Sequence, residues 1–121
     1  MPPVTQPARR ALLIGVDAYP HVLPLDGCVN DVRLMRSVLA GTFGFPEAGI
    51  TLLTNEDATR AGILSAFDAL VATTGLNDLV VIHFAGHGSQ MTDREGDEPS
   101  GFDSTLMPVD TARAPGQNLD I

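Results

Sequence analysis

The chain has 121 residues, a length that predicts a single domain with one hydrophobic core. Its 15 acidic residues against 7 basic ones give a formal net charge of −8, which excludes a general binder of nucleic-acid phosphates. No apolar run approaches the roughly 18 residues of a membrane span, and the first ten residues lack the apolar stretch of a signal peptide. We therefore expect a soluble, cytoplasmic protein with neither a nucleic-acid nor a membrane partner. Cys28 is the only cysteine, which excludes an intrachain disulfide and a multi-cysteine zinc site.

The first half of the chain predicts two buried strands separated by a helix. Residues 1–10 contain three prolines and form a loose lead-in to the apolar run 11–16, whose length suits a buried parallel strand. Residues 17–27, rich in proline and aspartate, are a predicted loop at the carboxyl end of that strand. The short, apolar and partly β-branched run 50–54 predicts the second strand. Helical spacing between the two strands involves Val32, Met35 and Leu39.

The second half begins with a second helix and a third strand. The apolar stripe of the helix consists of Ile63, Phe67 and Leu70. Thr59 or Asp57 is available to cap its start. Gly62, inside the helix, should cost it about 1 kcal/mol relative to alanine. Residues 78–85 are almost entirely apolar and predict the third strand.

The composition changes beyond the third strand. Residues 89–104 are polar and acidic, only the short run 105–107 offers another strand, and residues 110–121 look irregular. Buried strands that alternate with helices predict an α/β fold, with a mostly parallel sheet flanked by helices.

The carboxyl ends of the strands are where ligands of open α/β sheets collect, and here these are Asp17, residues 54–56 and residues 86–88. His87 is the best-placed reactive group, because its glycine neighbours let the backbone turn sharply and an ordinary histidine titrates near neutral pH. The alternative is a turn histidine without chemistry. His83 is expected in the core, and four residues of extended chain span about 13 Å, so His83 and His87 cannot share a metal ion.

Four segments resemble, in order, the motifs of caspase-like cysteine peptidases of the C14 type, with metacaspases and their bacterial relatives as the most similar branch. They are ALLIGV at 11–16, LDGCVNDV at 25–32, HFAGHGSQ at 83–90 and GFDSTLMPVD at 101–110. The resemblance implies a caspase-haemoglobinase fold that is incomplete in this chain, with residues 11–121 as the amino-terminal part of the catalytic domain. It also implies hydrolysis of peptide bonds by a cysteine–histidine dyad.

The resemblance assigns the histidine of the dyad to His87, which would accept the thiol proton and later protonate the leaving amine. Gly88 matches the glycine whose backbone N–H helps to bind the oxyanion. The family's nucleophile lies in a downstream Asp-x-Cys-x-Ser-Gly-type motif, which these 121 residues do not contain. Cys28 falls in the Gly-Cys-x-Asn-Asp segment, so we expect it to line the substrate pocket rather than to attack. The 121 residues alone are therefore expected to be inactive and to need the remainder of their own catalytic domain as a partner.

Asp31 matches an aspartate that in metacaspases lines the pocket for the residue before the scissile bond. A carboxylate there would pair with arginine or lysine, in bidentate fashion with arginine. Residues 25–31 contain no arginine such as caspases use to select aspartate, so we predict protein or peptide substrates that are cleaved after arginine or lysine. Without the resemblance, stabilisation of a helix N-terminus is an equally good role for Asp31, and the two roles are compatible.

An acidic run could supply carboxylate ligands for a calcium ion. It consists of Asp93, Glu95, Asp97, Glu98 and Asp103. The spacing does not fit an EF-hand loop, because the sixth position from Asp93 is a glutamate rather than glycine. Such a loop is usually only a solvated surface. The resemblance nevertheless implies calcium as a candidate activator, because Asp103 matches one residue of the calcium site in calcium-activated metacaspases. No organic cofactor is expected.

Two classes of function remain open. The first is a metacaspase-like endopeptidase, and the second is a catalytically inactive caspase-like module that keeps the fold for binding partners. An Asp-x-Cys motif in the continuing reading frame would separate them. In both cases the incomplete sheet predicts an unpaired apolar edge that invites association with another chain.

Overall fold

The elements are known from a computed structural model, which describes residues 7–92, 102–112 and 120–121. In chain order they are β1 (Arg9–Gly15), α1 (Cys28–Gly41), β2 (Ile50–Thr54), α2 (Arg60–Thr73), β3 (Leu79–Ala85), β4 (Gly88–Thr92) and β5 (Phe102–Leu106). Two short 3-10 helices, Glu47–Gly49 and Asn55–Asp57, flank β2. No helix of the described residues is both long and apolar enough to cross a membrane.

A parallel sheet with the order β2-β1-β3 forms the centre of the fold. Its central strand is buried on both faces, as the continuous apolar run predicts. Leu12 and Ile14 pack into a core that includes Ile63 of α2, whereas Leu13 packs into a second core that includes Val32 of α1. The predicted α/β fold, with a parallel sheet between helices, is confirmed.

β1 begins at Arg9, two residues before the predicted strand, so the predicted lead-in over residues 1–10 is wrong at its end. The reason is an ion pair between the Arg10 guanidinium and the Asp78 carboxylate at 2.6 Å, together with a bond from the Ala8 N–H to Asp78 at 2.8 Å. These contacts extend the pairing of β1 with β3 beyond the apolar run. Residues 1–6 lie outside the described residues.

β4 and β5 form a separate antiparallel pair, and β4 was not predicted. Its sequence, GSQMT, is polar and offers no alternation of apolar residues, so only its partner reveals it as a strand. β5 also starts earlier than the predicted run 105–107. Ile121, predicted irregular, exchanges two backbone hydrogen bonds with Leu106 at 2.7 and 2.8 Å and so continues this layer.

The start of α2 shows why Gly62 is a glycine. Thr59 caps the helix as predicted, because its hydroxyl oxygen accepts a hydrogen bond from the Gly62 N–H at 3.0 Å. A Cβ atom at Gly62 would lie 2.5 Å from the backbone oxygen of Asp57. We therefore expect alanine at this position to destabilise the protein, contrary to the helix-propensity prediction, since its Cβ would force the Asp57 backbone to move.

Candidate active site

The carboxyl ends of β1 and β3 lie side by side and bring two loops together. The parallel register pairs Gly15 with Ala85, and the Val16 N–H donates to the Ala85 carbonyl at 2.9 Å. The loop after β1 and the turn that holds His87 therefore leave the sheet at the same place, as the strand-end rule predicts.

The imidazole of His87 is oriented by the loop after β1. Its Nε2 atom lies 2.7 Å from the backbone oxygen of Leu23. A carbonyl oxygen can only accept, so Nε2 is the nitrogen that carries the proton, and in the neutral ring Nδ1 keeps its lone pair. The ring is thereby fixed in the tautomer in which Nδ1 can accept a proton. Sequence analysis missed Leu23, because a backbone carbonyl leaves no trace in side-chain identity.

An open cleft of about 300 Å³ adjoins this imidazole. Its lining consists of the loop after β1, the histidine after β3 and the residue that follows β5, namely His21, Val22, Leu23, His87 and Met107. The catalytic candidate therefore faces space that a substrate can enter rather than the core.

Gly88 is the first residue of β4, opposite Leu106 in the antiparallel register. The preceding pair, His87 and Met107, is bonded directly through the Met107 N–H and the His87 carbonyl at 3.0 Å. Bonded and non-bonded pairs alternate in an antiparallel ladder, so the Gly88 N–H points away from β5. The Gly88 N–H is therefore not used in pairing with β5, as is required of a group that donates to an oxyanion.

The N-terminus of α1 is anchored to the end of β1 by a carboxylate. Gly27 precedes the helix with φ at +97°, a conformation that favours glycine, and no side chain of the helix caps it. Instead, Asp17 accepts hydrogen bonds from the N–H groups of Cys28 at 2.8 Å and Val29 at 3.1 Å. Burial alone would raise the pKa of Asp17, but these bonds outweigh it and lower that pKa below its ordinary value.

Cys28 has the electrostatics of an unreactive thiol. Burial is the largest cause, followed by a hydrogen bond to Asp17 and the charges of Asp17, Asp31 and Asp26; together they raise the pKa of Cys28 to about 11. A nucleophilic cysteine needs the opposite, namely a neighbouring base or positive charge that lowers its pKa. These surroundings therefore argue against Cys28 as the nucleophile, and its place in the wall of the substrate pocket stays a prediction.

Asp31 lies in the first turn of α1, with its side chain exposed. It faces a groove of about 460 Å³ along β3. Besides Asp31, the lining consists of Leu34, Met35, Val38, His83, Phe84 and Ala85. The groove ends at Ala85, two residues before His87, so the acidic start of α1 adjoins the strand that leads to the histidine. His83, expected in the core, is only half-buried and lines this open groove.

Asp103 is described only by its backbone, which pairs with Met91 in the β4-β5 ladder. Most of the acidic run around it, residues 93–100, lies outside the described residues. The carboxylate of Asp120 accepts hydrogen bonds from the hydroxyls of Thr105 at 2.6 Å and Thr111 at 2.9 Å. Among the side chains that the structure describes, no three histidine, cysteine, aspartate or glutamate residues cluster as a metal site.

Comparison with solved structures supports the fold. The chain is similar to protein GSU0716 from Geobacter sulfurreducens, with a TM-score of 0.69, 30% sequence identity, and coverage of 85% of this chain and 40% of the other.

Comparison with curated sequences identifies the relatives. The chain is 39% identical to metacaspase-1A of Aspergillus oryzae over 112 residues, and 40% identical to metacaspase-2 of Arabidopsis thaliana over 115 residues. These matches cover 88% and 90% of this chain but only 27% and 28% of the relatives. Residues 9–120 match the family model of the metacaspase, peptidase C14 domain. The chain, whose His87 lies in the turn after the third strand, therefore belongs to the metacaspase family of peptidases.

Proposed function

We propose that the protein is a cysteine endopeptidase that cleaves after arginine or lysine, with His87 as its general base. The observation that carries the proposal is the hydrogen bond between Nε2 of His87 and the Leu23 carbonyl at 2.7 Å. This bond holds the ring in one tautomer and directs the basic nitrogen, Nδ1, away from the loop after β1.

The nucleophile of this proposal is a cysteine from a segment of the full-length protein outside these residues. Nδ1 of His87 accepts its thiol proton, and the thiolate attacks the scissile carbonyl carbon to form the C–S bond. The carbonyl oxygen becomes an oxyanion, which accepts a hydrogen bond from the Gly88 N–H. The imidazolium then donates its proton to the leaving amine, and a water molecule activated by His87 hydrolyses the thioester.

The preference for basic residues rests on the charges at the start of α1. Asp17, Asp26 and Asp31 all act on the Cys28 thiol, so the helix N-terminus presents a concentration of negative charge. Asp17 is engaged with the backbone of the helix, whereas Asp31 is exposed at the edge of the groove. Asp26 is exposed as well, but of the three carboxylates the groove lining includes Asp31 alone, so Asp31 is the one proposed to bind a guanidinium or ammonium group of a substrate.

The test is hydrolysis by the full-length protein of fluorogenic peptides that end in arginine, lysine or aspartate. We expect cleavage after arginine and lysine, and Asp31→Asn should lower kcat/KM for these peptides by about tenfold or more, since a charged hydrogen bond contributes about 1.5–3 kcal/mol. Asp26→Asn is the matched control, because it removes an exposed charge that lies just before α1 and outside the lining of the groove. Cleavage after aspartate would refute the role of Asp31. Absence of cleavage of every peptide would favour the inactive interaction module.

Calcium activation is a separate proposal, which the same assay tests with added calcium and with chelator. Asp103 is the residue proposed to contribute. The described side chains do not form a ligand set, and both carboxylate oxygens of Asp120 already accept from threonine hydroxyls. No step of the mechanism above therefore involves calcium. Equal rates with calcium and with chelator would refute the proposal.

A further inference from the structure

Tyr19 is a buried side chain beside His87 that the mechanism above does not use. It lies in the loop after β1 and is 3% exposed. Its ring centroid is 4.9 Å from that of the imidazole, and the two planes are tilted by 52°. An aromatic ring this close limits the movement of the imidazole on the side where the two rings pack.

The hydroxyl of Tyr19 lies between the backbone groups of His87 and Met107. It accepts a hydrogen bond from the His87 N–H at 2.9 Å and donates one to the Met107 carbonyl at 2.8 Å. The complementary bond of the same pair, from the Met107 N–H to the His87 carbonyl, is direct at 3.0 Å. The phenol therefore replaces one of the two bonds that an antiparallel pair would exchange at this point.

Two further observations show that this arrangement is fixed. A Cβ atom at Gly86 would lie 2.6 Å from the Tyr19 hydroxyl oxygen, so the turn accepts the hydroxyl only because residue 86 is glycine. Burial is the main cause that raises the pKa of Tyr19; the hydrogen bond from the His87 N–H opposes it, and the negative charges of Asp120 and Asp17 add to it. The phenol therefore keeps its proton at neutral pH and can donate and accept at the same time.

We propose that Tyr19 is a positioning residue for His87: its hydroxyl holds the His87 N–H and the Met107 carbonyl apart, and its ring fixes the imidazole against the Leu23 carbonyl. Without the hydroxyl, either the partly buried His87 N–H loses this acceptor or the strands close and His87 moves with them. Because geometry at the reacting atoms governs the chemical step, such a movement lowers kcat more than it changes substrate binding. This inference rests on the proposed function for its kinetic part only.

The test compares Tyr19→Phe with wild type in the full-length protein. We expect kcat for an arginine peptide to fall about tenfold, the equivalent of one hydrogen bond, with KM changed less than about twofold. Thr111→Val is the matched control: it removes another buried hydroxyl, which bonds to Asp120 rather than to His87. We expect it to lower Tm without lowering kcat. An unchanged kcat in Tyr19→Phe, or an equal loss in both variants, would overturn the proposal.

A second readout separates this inference from the proposed function. In the full-length protein labelled with ¹⁵N-histidine, Tyr19→Phe should shift the backbone amide and ring-nitrogen resonances of His87, whereas Thr111→Val should leave them in place. If the wild type cleaves no peptide, the proposed function fails, but these resonances still test whether Tyr19 positions His87. Unshifted His87 resonances in Tyr19→Phe would overturn that positioning role, whatever the activity.

Discussion

Replacement of Asp17 by alanine should detach the start of α1 from the central strand. The carboxylate accepts from two backbone N–H groups, at 2.8 and 3.1 Å, and no other side chain caps this helix. A hydrogen bond to a charged group contributes about 1.5–3 kcal/mol, and helix caps typically contribute about 1 kcal/mol. Because the carboxylate is only partly buried, we expect Asp17→Ala to lower the free energy of unfolding by about 2–3 kcal/mol.

Urea denaturation of the full-length protein measures this loss. Asp17→Asn keeps one accepting oxygen and should lose about half as much. Asp26→Ala, an exposed aspartate of the same loop, should stay within about 0.5 kcal/mol of wild type. Since folding lowers the pKa of Asp17 below its ordinary value of 3.8, its contribution is complete above that pH and disappears as the pH falls through the folded value. A loss below about 0.5 kcal/mol in Asp17→Ala at pH 7 would refute the anchoring role.

Three further predictions concern other parts of the chain. Gly62→Ala should destabilise the protein by about 1–3 kcal/mol despite the higher helix propensity of alanine, because its Cβ meets the Asp57 carbonyl; a stabilised variant in thermal unfolding would contradict this. Cys28, with its pKa raised to about 11, should react with iodoacetamide at pH 7.5 far more slowly than an ordinary thiol, a result that mass spectrometry checks and that fast labelling would contradict. The isolated 121-residue chain should associate through β3, which exposes Leu79 and Ile82 by about half; a stable, monodisperse monomer in light scattering would contradict the exposed edge.

The parallel sheet could be predicted because its strands are short apolar runs, of which the central one, β1, is buried on both faces. Continuous apolar runs such as residues 11–16 and 78–85 have few alternatives in a chain that alternates them with amphipathic helices. β2 was predicted with its observed bounds from its short, partly β-branched run. β4 escaped prediction because its residues are polar and its strand conformation depends on pairing with β5, which lies ten or more residues away in sequence.

His87 could be identified as the reactive candidate from its place after a buried strand, and the four motifs added its family. The contacts that orient it could not be predicted. The Leu23 contribution is a backbone carbonyl, and Tyr19 acts through a bond network that spans 68 residues of sequence to His87 and 88 to Met107. Such long-range partners depend on how β1, β3 and β5 meet in space, which local pattern does not encode.

The central claim, that His87 is the base of a peptidase specific for basic residues, is tested most directly by one comparison. The measurement is kcat/KM of the full-length protein and of its His87→Ala variant on a fluorogenic peptide that ends in arginine. The account predicts clear hydrolysis by the wild type and a loss of at least about 10²-fold in the variant, because the thiol then has no base and the leaving amine has no acid. Equal hydrolysis by the two proteins would contradict it.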